Sequence, residues 1–122
     1  MKTPQIPAPT LATALGLTTE LWLKREDLHK SGSHKGRSIP LMIKEDTRQG
    51  ERSFVISSSG NAALAAIIDI EHHNKNRPTD PARLEVFIGQ HIDPAKEQKL
   101  RHAIHDEKII TLTKTDNPKQ AA

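Results

Sequence analysis

Hydrophobic positions along the chain follow two different periods. Short apolar runs, Leu21 to Lys24, Phe54-Val55-Ile56, Leu84 to Ile88 and Ile109 to Leu112, have the length and composition of strands. Between them the apolar residues move to helical spacing. Ile39, Leu41, Met42 and Ile43 mark one helix. Ala63, Leu64, Ile67, Ile68 and Ile70 mark a second, from Asn61 to about Asn74, and Leu100, Ala103 and Ile104 a third. Strands alternating with helices predict an α/β fold, a parallel sheet of about four strands with helices packed on it. Right-handed crossovers place the strand C-terminal ends on one edge. Open α/β sheets bind ligands at that edge.

Turn and cap residues set the boundaries. Residues 1–19 read as an N-terminal extended segment, because Pro4, Pro7 and Pro9 oppose a regular helix. Leu11 to Leu15 has room for a single turn, ended by Gly16. Residues 20–122 carry the alternating pattern. Pro40 leaves two starts open for the first of these helices: near Ser38, with Lys35 in the preceding turn, or at Lys35 with a kink. Asp93-Pro94 is an N-cap followed by proline at the first helical position. Asp116-Asn117-Pro118 is the expected start of one more helix. No internal repeat or low-complexity segment interrupts this order.

Composition narrows the function classes. A chain of 122 residues suits one domain. With two Phe, one Trp and no Tyr, its core must come from Ile, Leu, Ala and Val, and base stacking on single strands is disfavoured. The net charge of +3 is scattered rather than clustered, so no nucleic-acid partner is expected. Without cysteine there is neither a disulfide framework nor a Cys-based zinc site. His102 and His105 share a helix, and His72 and His73 are adjacent, but no third ligand has suitable spacing, so no metal site is expected. No apolar run reaches membrane-spanning length, and Met1-Lys2-Thr3-Pro4 leads into no signal-peptide core. A cytoplasmic location is expected.

Two turns carry candidate chemistry. Ser31-Gly32-Ser33-His34-Lys35-Gly36-Arg37 lies between a strand and a helix. The positive end of a helix dipole disfavours an ammonium, and an amine kept neutral suits Schiff-base chemistry with a carbonyl. On these residues alone, an ordinary solvated lysine beside a capping serine is the favoured reading. His34 could contact a ligand or simply sit at the surface. The second turn, Ser57-Ser58-Ser59-Gly60-Asn61, follows a strand and opens a helix. It offers hydroxyls and backbone N–H groups to an anion.

Taken together, Leu23-Lys24-Arg25-Glu26-Asp27-Leu28, Gly32-Ser33-His34-Lys35-Gly36-Arg37 and Ser58-Ser59-Gly60-Asn61 occur in an order and spacing that resembles the fold type II pyridoxal-phosphate enzymes, the tryptophan synthase β-like group. Threonine synthase, threonine dehydratase and cysteine synthase are relatives within it. The resemblance implies pyridoxal 5'-phosphate as cofactor and an amino acid as substrate. It implies β/γ-elimination or replacement as the reaction type, and a homodimer when complete. It assigns Lys35 to the cofactor imine and to proton transfer at the substrate Cα. Asn61 is assigned to the cofactor ring hydroxyl, and Ser58, Ser59 and Gly60 to the substrate carboxylate. Arg37 is expected to be structural and paired with a carboxylate.

The resemblance covers nearly the whole chain but only the opening part of a typical member. The family's glycine-rich phosphate loop has no counterpart, since Gly89 is the one glycine after Asn61. A second domain is not expected within these residues. The chain is therefore expected to be the N-terminal portion of such an enzyme, without tight cofactor binding or meaningful turnover alone. The competing reading is a non-catalytic α/β remnant or partner-binding module.

Overall fold

The computed structural model describes residues 2–122. Two β-layers organise it. In the first, β1 (Gln5–Pro7) pairs antiparallel with β2 (Trp22–Lys24), Ile6 opposite Leu23. A short helix α1 (Pro9–Ala14) joins them, with Pro9 in its first turn, where a missing N–H costs nothing. Gly16 then reverses the chain at a φ of 66°. The second layer is a parallel sheet in the order β3 (Ser53–Ser57), β4 (Arg83–Gly89), β5 (Ile110–Thr115). Phe54 lies opposite Leu84, and Leu84 opposite Ile110.

The parallel α/β sheet thus has three strands rather than about four. The run at Leu21 to Lys24 is a strand, but it belongs to the antiparallel pair. A parallel inner strand would be covered on both faces. Trp22 and Leu23 instead remain 47% and 38% exposed. Three residues are too few to compete for a buried place, and the N-terminal segment offers a local partner. Pro7, which has no N–H, is tolerated because β1 is an edge strand.

The parallel sheet is built around one apolar face. Leu84, Val86 and Ile88 alternate along β4 and are at most 1% exposed. Helices α2 (Lys35–Arg48), α3 (Asn61–Asn76) and α4 (Pro94–Ala103) share one core with them, α3 touching both neighbours. Ala63, Leu64, Ala66, Ile67 and Ile70 supply the inner face of α3. The intervening strand positions Arg83, Glu85, Thr111 and Thr113 are exposed. A short last helix α5 (Pro118–Ala121) touches all three strands.

Local polar contacts fix the connections. The Asp93 carboxylate accepts from the N–H groups of Ala95 and Lys96, the expected N-cap. The Asn74 side chain both donates to Ala82 O at 2.9 Å and accepts from Ala82 N at 2.8 Å, locking the end of α3 to the start of β4. Arg52 grips Asp80 with two bonds of 2.7 Å, joining the entrances of β3 and β4. Among the described residues, no helix is long and apolar enough to cross a membrane.

Candidate functional site

Each helix runs back against the strand beside it, because β3, β4 and β5 are parallel. The helix N-termini therefore gather at the C-terminal edge of the sheet. Lys35 is the first residue of α2 and Asn61 the first of α3. Of the two open starts for α2, the structure adopts the one at Lys35, with Pro40 inside the helix. Lys35 is half-buried, Ser58, Ser59 and Gly60 are half-buried, and Asn61 is exposed. His34 occupies the N-cap position with its side chain at the surface.

The Ser turn after β3 is held by two bonds. Ser58 N–H donates to Phe87 O at 3.2 Å, and Gly60 N–H to Ser58 Oγ at 3.3 Å. Gly60 caps α3 without a side chain, so the first-turn N–H groups of α3 have no side-chain acceptor. A 16-residue helix with such a start offers a positive dipole end to an anion.

The turn before Lys35 is unlike an ordinary surface loop. His29, Ser31 and Ser33 are all buried. His29 Nδ1 lies 3.3 Å from the Ser31 backbone nitrogen and 3.1 Å from Ser31 Oγ. Ser31 Oγ donates to Ser33 O, and Ser33 Oγ accepts the Lys35 N–H at 3.3 Å. Gly32 turns the chain with a φ of 74°. Gly36 sits directly on this cluster: a Cβ there would lie 2.1 Å from Ser31 Oγ and 2.4 Å from His29 Nδ1.

Arg37 meets its expected carboxylate, Glu26. The guanidinium donates to Glu26 Oε2 at 2.7 Å and to Oε1 at 2.9 Å. It also reaches Thr3 Oγ1 at 2.9 Å, and Thr3 donates to Glu26 Oε1. Lys24 Nζ donates to Thr3 O. Bonds from Arg37 and then Thr3 hold the Glu26 carboxyl down at about 2. A value below the unfolded one, near 4.5, adds stability above that pH, and this is lost as pH falls toward about 2. The stability gap between the parent and Glu26→Gln is therefore expected to shrink from pH 6 to pH 2 in urea titrations. An equal gap at both values would show that the pair adds no pH-dependent stability.

A cavity of about 350 Å³ opens at the same sheet edge, lined by Ser59, Gly89, Gln90, His91, Ile92 and Asp116. Of these, sequence reasoning singled out Ser59 for ligand chemistry and read Asp116 only as a helix start. Their position at strand ends was the available signal. A larger hollow along α4, about 440 Å³, is lined by residues such as Glu97, Arg101 and His102, away from both turns. His105 lies 3.6 Å from Glu71, and among the described residues no three potential metal ligands converge.

The donor set suits pyridoxal 5'-phosphate in part. Lys35 and Asn61 start α2 and α3 and Ser58 and Ser59 precede α3, so an amine, an amide and hydroxyls are present, the groups that the cofactor's aldehyde and ring hydroxyl and an amino acid's carboxylate require. Residues 62–122 contain one glycine, Gly89, and no glycine-rich turn to cradle the phosphate.

Comparison with known proteins agrees with this geometry. Residues 1–68 match the family described as pyridoxal-phosphate dependent enzyme. Threonine synthase of Synechocystis sp. is 33% identical over 64 residues, 52% of this chain and 17% of that protein. L-serine dehydratase/L-threonine deaminase of Mus musculus is 40% identical over 65 residues, 53% of this chain and 19% of that protein. The chain thus matches less than a fifth of the length of these curated relatives. Among solved structures, a hydrogen sulfide-producing enzyme from Fusobacterium nucleatum superposes with a TM-score of 0.75 at 20% identity, covering 98% of this chain and 36% of that one. Threonine deaminase isoform 2 from Solanum lycopersicum gives 0.71 at 20% identity, covering 97% and 30%. These likenesses are of fold, and the fold is that of the fold type II enzymes.

Proposed function

The chain belongs to the pyridoxal-phosphate dependent enzymes, and on that premise we propose that it carries the lysine and substrate-carboxylate half of an amino acid elimination or replacement site. The observation that supports this most is the placement of Lys35 and Asn61 at two helix N-termini on one sheet edge. When bound, the cofactor supplies an aldehyde for covalent attachment and a ring that takes up electrons.

The chain's own residues divide the remaining work. The Lys35 amine is the attachment point and, once free, holds and moves the proton at the substrate Cα. The Asn61 amide orients the cofactor ring through its hydroxyl. Ser58, Ser59 and the N–H groups beyond Gly60 receive the substrate carboxylate, where the α3 dipole favours negative charge. The phosphate and the ring nitrogen need groups outside this set, so binding by the 122-residue chain alone is weak and its turnover negligible.

Pyridoxal-phosphate titration, borohydride trapping and peptide mapping test this reading. Label concentrated on Lys35 and lost in Lys35→Ala is the expected result. Label spread evenly over the eleven lysines would overturn it.

A further inference from the structure

The helix that carries Lys35 starts badly by its own sequence. Gly36 is the second residue of α2 and costs about 1 kcal/mol against alanine in a helix. Pro40 has no N–H to give to Gly36 O, and proline in a helix interior costs about 3 kcal/mol. His34, the N-cap residue, makes no side-chain cap bond. A first turn with these three features frays unless something outside the helix holds it.

Ser33 in the preceding turn accepts the Lys35 N–H, and the remaining support comes from residues distant in sequence. Arg37, two positions after Lys35, is gripped by Glu26, eleven residues earlier, through two bonds from the Nε and Nη2 edge of its guanidinium. Thr3, 2% exposed, joins the same pair from the N-terminal segment. Lys24 at the end of β2 fixes the Thr3 backbone in turn. The contacts form a line from the β1–β2 pair to the first turn of α2. None of these side chains has been given a role toward cofactor or substrate.

We propose that Glu26, acting through Arg37 and together with Thr3, is a positioning residue that fixes Lys35 for covalent attachment. It acts by mounting the weak first turn of α2 on the β1–β2 pair. Glu26 touches neither cofactor nor substrate. A carboxylate is required because the guanidinium needs two acceptors in one plane. Glutamine offers one acceptor oxygen and no charge. Aspartate keeps the charge on a shorter arm. This proposal rests on the assignment of Lys35 above.

The test compares the distribution of trapped pyridoxal label in the parent chain, Glu26→Gln, Glu26→Asp and Thr3→Val, each checked for native helix content by circular dichroism. In Glu26→Gln the share of label on Lys35 is expected to fall at least about fivefold, toward the one in eleven of an unselective lysine. Glu26→Asp should restore part of that share, and Thr3→Val should give an intermediate loss. Hydrogen exchange should quicken in Lys35 to Ser38 and not in α3. A folded Glu26→Gln chain that labels Lys35 as selectively as the parent overturns the proposal. Should Glu26→Gln fail to fold, an unchanged Lys35 share in Thr3→Val overturns it instead. A parent chain that labels its lysines evenly would overturn the Lys35 assignment itself, and this inference with it.

Discussion

Gly36→Ala is expected to destabilise the chain by about 2 kcal/mol and to disturb the Lys35 turn more than any other single methyl group. The added Cβ would meet Ser31 Oγ at 2.1 Å and the His29 ring at 2.4 Å. Both neighbours are buried and hydrogen-bonded, so neither swings aside freely. Overpacking of this kind costs up to about 3 kcal/mol. The opposing gain is the better helix propensity of alanine, about 1 kcal/mol. The clash wins. Urea unfolding measures the net effect, and a midpoint equal to or above that of the parent would show that the His29 cluster yields. The same variant should label Lys35 less selectively, because the backbone on which the lysine stands must shift.

The second large effect is expected at Ile67. It is fully buried in the middle of α3, in the core shared by helices α2 to α4 and the sheet. Ile67→Ala should cost about 2–5 kcal/mol, the range for truncating buried aliphatic side chains. Neighbours on three sides cannot all close on the void, which favours the upper part of that range. A domain with roughly 5–15 kcal/mol of total stability would then be partly unfolded under mild conditions. The denaturation midpoint should fall while its slope stays constant. A loss below about 1 kcal/mol would mean that the core collapses around the missing side chain.

The two variants probe different links between sequence and function. Ile67 supports the sheet whose edge carries both turns. Gly36 supports one turn alone. If Ile67→Ala remains folded, it should retain the Lys35 preference, whereas Gly36→Ala should lose part of it.

Much of this architecture follows from local pattern. The spacing of Ala63, Leu64, Ile67 and Ile70 places α3 and its buried face. Asp93-Pro94 sets the start of α4 through a cap that operates within three residues. The strand–turn–helix order puts Asn61 at a helix N-terminus at the C-terminal edge of the parallel sheet, whereas Lys35 starts a helix that leads into the N-terminal end of β3. In each case the deciding interaction spans a few residues, or follows from the connectivity of the chain.

Tertiary structure decided the rest. The run at Leu21 to Lys24 could join either sheet by composition. It pairs with Gln5–Pro7, a choice made by the partner available and by its exposed Trp22 and Leu23. Of the two starts open for α2, the structure takes the one at Lys35, and contacts from outside the helix, Ser33 on the Lys35 N–H and Glu26 on Arg37, meet its first turn. By sequence Glu26 is one charge among several after Leu23, and His29 is one histidine among seven. Folding brings Glu26 to Arg37 and His29 under Gly36. Caps and periodicity are short-range and are written into neighbouring residues. A carboxylate's partner and a glycine's close approach depend on where distant segments come to rest.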